Sequence, residues 1–118
     1  EQMGFFDTLP RDVQVKFLNT TVAQLPTAGG EFADILLAWK QGKPDELGAR
    51  MNRAMLGSEE LADALLFKRN ERWASWIKSR LDQPGSVFVA VGAGHLAGEK
   101  SVQDYLTKHG LNAERIAY

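Results

Sequence analysis

The chain has 118 residues, 44% hydrophobic and 25% charged, with a net charge of −1 and no cysteine. That length suits one domain around one core. The near-neutral balance excludes the broad basic field that nucleic acid or an anionic membrane demands, and the lack of cysteine excludes disulfides, thiolate metal sites and cysteine nucleophiles. No apolar run approaches the roughly 18 residues that would make a membrane-spanning helix, and no signal peptide pattern is present.

Residues 1–9 read as an entry segment anchored by Phe5, Phe6 and Leu9, and Pro10 suits a first helical turn. Val13, Phe17, Leu18, Val22 and Leu25 then recur at helical spacing until Pro26. A second helix carries Phe32, Ile35, Leu36 and Trp39 and stops near Gly42; a third runs from Pro44 through Leu47, Met51, Ala54 and Met55 to Gly57. Ser58 is a good N-cap for the fourth and longest helix, which reaches about Leu81.

That fourth helix departs from its own pattern. At 100° per residue, Leu61, Ala62, Leu65, Leu66, Trp73, Trp76 and Ile77 form one apolar sector, with Arg69 near its middle and Asn70 on its edge. A guanidinium centred on a buried stripe is costly unless paired. Two readings stand side by side: a structural ion pair or a cation stacked on Trp73 or Trp76, and an anion clamp facing a pocket, with Asn70 beside it to donate to an oxyanion or orient a neighbour.

Ser86–Gly98 reads SVFVAVGAGHLAG. The wholly apolar run Val87–Val91, bounded by Pro84–Gly85 and by glycines, predicts a strand buried on both faces. A glycine turn follows, then a helix over Glu99, Val102, Tyr105 and Leu106 that ends at His109–Gly110, then a second strand at Ala113–Ala117. The expected fold class is therefore α/β: residues 1–82 helical, and 83–118 a strand–helix–strand unit with parallel strands and a right-handed crossover. Two parallel strands make a poor free-standing sheet, so further strands are expected upstream of Glu1, and the exposed sheet edge offers a route to a homodimer. His95, between Gly92, Gly94 and Gly98, is the only titratable side chain in the turn. Glycines that let the backbone come close suit a metal ligand or a general base there, although a lone histidine in a turn is more often a hydrogen-bonded structural residue. The glycine spacing misses the dinucleotide-binding fingerprint by one residue and lacks a P-loop's Lys–Ser or Lys–Thr. Glu99 stands four residues on as a helix N-terminal acid or an outer partner of the histidine.

VFVAVGAGHLAGEKSVQDYLTKHGLNAERI resembles the C-terminal signature of the TraB/GumN family, which is similar to the Tiki metalloproteases and more distantly to ChaN-like and erythromycin-esterase-like proteins. LLFKRNERWASWI resembles the family's preceding helix with its Arg–Asn pair, and EQMGFFDTLPRDVQ its EQ…LP…Q segment. The resemblance implies a metal-dependent hydrolase site, peptidase-like, built from two Gly-x-x-His motifs, an upstream acidic residue and the Arg/Asn helix. Gly92-Ala93-Gly94-His95 matches the second motif, so the resemblance makes His95 the metal ligand or catalytic histidine and brings Arg69 and Asn70 into the site. The first Gly-x-x-His motif and the family's glutamate are absent, and Glu1 matches the later EQ pair instead. The chain is thus expected to be the C-terminal portion of such a domain, inactive alone, with a divalent metal that needs ligands from the upstream half. Resemblance to secreted members implies a periplasmic or otherwise extracytoplasmic setting. The substrate would be a peptide or small molecule. The alternative is a non-catalytic protein that sequesters a peptide or a haem-like ligand.

Overall fold

A computed structural model describes residues 4–53 and 59–116. The elements in chain order are α1 (Gly4–Asp7), α2 (Arg11–Gln24), α3 (Ala28–Lys40), α4 (Pro44–Arg53), α5 (Glu59–Ala62), a π-helical turn (Asp63–Phe67), α6 (Lys68–Leu81), a 3₁₀ turn (Ala93–His95) and α7 (Val102–Lys108). The helices read from residues 10–53 are present, and the entry segment adds the short α1. Ala54, Met55, Gly57 and the Ser58 cap lie outside the described residues, as do Glu1 and Ala117.

The α/β expectation is overturned. Among the described residues there is no strand and no sheet, hence no parallel pair, no crossover and no sheet edge for a dimer to use. Val87–Val91 has no regular secondary structure, and no backbone hydrogen bond joins residues 86–91 to any other described residue. Phe88, expected inside, is 91% exposed. Residues 113–116 are likewise irregular and exposed. The physical reason is that a strand exists only as half of a ladder. Apolar composition predicts burial for the run, but supplies no partner, and the two candidates do not pair with each other.

The helix ends follow the sequence closely. After α3, Gly42 (φ 62°) takes the left-handed position, with Gly42 N–H bonded to Trp39 O and Lys43 N–H to Ala38 O, both 3.0 Å. After α7, Gly110 (φ 73°) does the same: its N–H reaches Thr107 O at 2.9 Å and Leu111 N–H reaches Leu106 O at 3.0 Å. Both are Schellman closures, which only glycine enters cheaply. At the other end of α7, Ser101 Oγ caps Asp104 N–H at 3.3 Å and is itself buried.

The core is small and sits around the end of α4, the α5–α6 helix, the 3₁₀ turn and α7: Leu47, Leu61, Ala62, Leu66, Ala74, Ala97 and Val102. α2 contributes no buried residue; Leu18, Val22 and Leu25 are 61%, 57% and 64% exposed. The chain exposes 8702 Å², where a self-contained monomer of its mass would expose about 6,400 Å². Phe88 in the 86–91 run, Leu18 and Val22 on α2, and Phe32 and Trp39 on α3 are among the large apolar side chains left exposed.

The second correction concerns the long helix. The π turn inserts one surplus residue between Leu61 and Arg69. One residue is 100° of rotation, so every position beyond Phe67 is turned back by about that angle from the regular wheel. Asn70 moves from the edge of the apolar sector to its centre, Ala74 enters it, and Arg69 and Trp76 move outward. The burial agrees: Asn70 is 1% exposed and Ala74 0%, while Trp76 is 54% exposed and Arg69 is half-buried.

Candidate functional site

Three elements bring the site together. α6 carries Arg69 and Asn70 in its first turn and Trp73 one turn on. The 3₁₀ turn Ala93–His95 follows the irregular apolar run and is closed by His95 N–H to Gly92 O at 2.9 Å. Residues 96–101 then lead back into α7. α4 lies under the turn at very short range. A Cβ at Gly48 would stand 2.6 Å from Ala97 Cβ and 3.1 Å from Gly98 N, and Gly94 faces Met51 Cε, which a Cβ there would meet at 3.2 Å. Glycine at 48 is therefore required by the approach of helix to backbone.

The centre is a chain of hydrogen bonds. Asn70 Nδ2 donates to Lys100 O at 2.8 Å, and its Oδ1 stands 2.7 Å from His95 Nδ1. An amide oxygen accepts only, so Nδ1 carries the proton and the second ring nitrogen, Nε2, keeps a lone pair. Trp73 packs on the imidazole, with ring centroids 4.7 Å apart at 56°. On the same indole lies the Arg69 guanidinium, 5.0 Å from the centroid. Arg69 thus stacks on Trp73, one of the two structural roles open to it from the sequence, and forms no ion pair with a carboxylate among the described residues. Among the described residues its one side-chain hydrogen bond is a long 3.5 Å contact from Nη1 to Leu65 O. Burial, and secondly the Arg69 charge, push the His95 imidazole below its usual pKa. At neutral pH it is a neutral ring with one free nitrogen, beside a cation whose donors are largely unspent.

The structure therefore brings Arg69 and His95 onto the same indole, Trp73, with Asn70 hydrogen-bonded to the histidine. Gly92 and Gly94 frame the histidine. Glu99 is exposed and outside this network, and His109 lies elsewhere, 3.4 Å from Ser75 Oγ. Sequence reasoning passed over Trp73 as a core residue and missed Lys100, Ser101 and Gly48. Two signals were present: the Ser101-x-x-Asp104 capping pattern, and a glycine inside an otherwise helical run.

No group of three or more His, Asp or Glu side chains among the described residues is arranged to hold a metal ion. One imidazole nitrogen is presented and the rest of a ligand set is not, so these residues alone do not fit a bound divalent metal.

The family model of the TraB/PrgY/gumN family matches residues 1–115. No curated protein and no solved structure matches the chain.

Proposed function

We propose, for a chain that belongs to the TraB/PrgY/gumN family, that it contributes one half of a hydrolase site, peptidase-like in chemistry, and is inactive by itself. The observation that carries this reading is the 2.7 Å contact between His95 Nδ1 and Asn70 Oδ1. It orients the imidazole, fixes its tautomer and leaves Nε2 free to take a proton or a metal. Arg69 supplies positive charge close enough to the imidazole to lower its pKa, and suited to a carboxylate or to an oxyanion developing on an attacked carbonyl. Trp73 holds both groups and shields one face of the ring from water. A divalent metal, the cofactor that family resemblance implies, would need at least two further protein ligands from outside the described residues.

A sequestering protein that holds a peptide or a haem-like ligand without turnover is the second reading. It is favoured by one specific observation: no carboxylate contacts His95 among the described residues, so the imidazole lacks an acidic partner for multistep proton transfer. Both readings are tested with protein that carries this chain and any additional ligand-bearing segment. Hydrolysis of an unstructured peptide that is abolished by chelator, restored by added metal and lost in His95→Ala supports the hydrolase. Stoichiometric binding with no cleavage supports sequestration. The 118 residues alone should bind zinc weakly and cleave nothing.

A further inference from the structure

We propose that Lys100 is a positioning residue for His95, acting through Asn70. The proposal rests on reading His95 as the working imidazole of the site. Lys100 is the only non-glycine with positive φ among the described residues, at 56°. Left-handed backbone is unfavourable for a lysine, and such conformations persist where the surroundings hold them. Here the holding contacts are visible. The ammonium sits 4.5 Å over the Phe67 ring, 3.8 Å from Glu59 Oε1 and 3.9 Å from Asp63 Oδ1. Both carboxylates and the ring belong to α5 and the π turn, the segment that leads directly into Asn70. One stretch of helix thus anchors the kink and carries the amide the kink addresses.

The kink aims the Lys100 carbonyl at Asn70, and a carbonyl can only accept. Asn70 must therefore turn its NH₂ toward residue 100, which leaves Oδ1 facing the imidazole. The reverse amide orientation would set two acceptors against each other at 2.8 Å in a side chain that is 1% exposed. Buried amides do not leave such a clash in place. The direction of one backbone carbonyl, set by the φ of Lys100, thereby decides which ring nitrogen of His95 holds the proton and which offers the lone pair. Were the peptide to turn over, the amide would follow: Nδ1 would accept from the Asn70 NH₂, Nε2 would carry the proton, and no ring lone pair would be left for a ligand.

The test reads the tautomer and needs no activity, so it stands or falls separately from the hydrolase reading. Long-range ¹H–¹⁵N spectra of the chain at about pH 8, above the ordinary histidine pKa, should show His95 protonated at Nδ1 alone, with the Asn70 side-chain amide protected from exchange. Lys100→Gly keeps access to positive φ and should preserve both signatures, even though it removes the ammonium. Lys100→Pro, whose ring fixes φ near −65°, should lose the single-tautomer signature and the amide protection while the helical circular dichroism is retained. A wild-type His95 that is protonated at Nε2 or mixed overturns the proposal. So does a freely exchanging Asn70 amide, a tautomer change in folded Lys100→Gly, or an unchanged tautomer in folded Lys100→Pro. The two wild-type readouts and Lys100→Gly keep the proposal falsifiable should the proline variant fail to fold.

Discussion

Gly48→Ala moves the site by way of the helix beneath it. The new Cβ would lie 2.6 Å from Ala97 Cβ, 3.0 Å from Ala97 C and 3.1 Å from Gly98 N. Carbon atoms rest at about 3.5–4.0 Å, so α4 and the 97–98 backbone must part by roughly 1 Å. Neither neighbour is a flexible side-chain end: two are backbone and the third is a Cβ. Overpacking of this kind costs about 1–3 kcal/mol, offset by about 1 kcal/mol because alanine is the better helix former. The net loss is up to about 2 kcal/mol, or up to about 8 °C in Tm at roughly 2.1 cal/mol/K of unfolding entropy per residue. Gly29→Ala and Gly30→Ala are the internal controls. They lie in α3 with nothing within 4 Å of the added Cβ, and each should gain up to about 1 kcal/mol. Thermal melts of the three variants, with the His95 ring resonances followed alongside, check the argument. If Gly48→Ala melts higher, as the controls should, the close approach of α4 to the histidine turn is wrong.

Four further outcomes follow from the same geometry. Asn70→Ala strands the Lys100 carbonyl and the His95 Nδ1–H, both part-buried, and should cost about 2 kcal/mol in chemical denaturation, from the lower end of about 1–3 kcal/mol for each group left unpaired. The depressed His95 pKa means that the unfolded chain takes up a proton first as pH falls. This histidine's linkage should therefore leave stability unaffected above the unfolded value near 6.5, and erode it as pH drops from there to the folded pKa, which urea titrations at several pH values can follow. Arg69→Gln removes the second cause of that depression and should bring the histidine's NMR titration midpoint back toward its ordinary value. Ser101→Ala deletes the α7 cap and should cost about 1 kcal/mol by denaturant midpoint.

The sequence made some of this legible and not the rest, for physical reasons. Helix termini were readable because glycine at 42 and 110 answers a purely local demand for left-handed backbone. Arg69, Asn70 and His95 stood out by type and spacing, and the structure places them around one indole. What could not be read was which of the first two is buried, because a π turn is a change of winding that no periodicity count at a fixed 100° can register. The strand prediction failed for the opposite kind of reason. Val87–Val91 has every local property of a buried strand, yet pairing is a relation between two segments, and the composition of one says nothing about the presence of the other. Lys100 was invisible because its importance lies in a carbonyl direction, which side-chain identity does not encode.

The underwound stretch at Asp63–Phe67 also makes this helix indifferent to one particular kind of genetic change. A single-codon deletion inside it would restore ordinary winding upstream while leaving Asn70, Trp73 and Ala74 aimed where they already are. A single-codon insertion would swing all three a further quarter-turn, carrying the buried amide out from beneath the imidazole. Length variation at this one place should therefore be tolerated in one direction only.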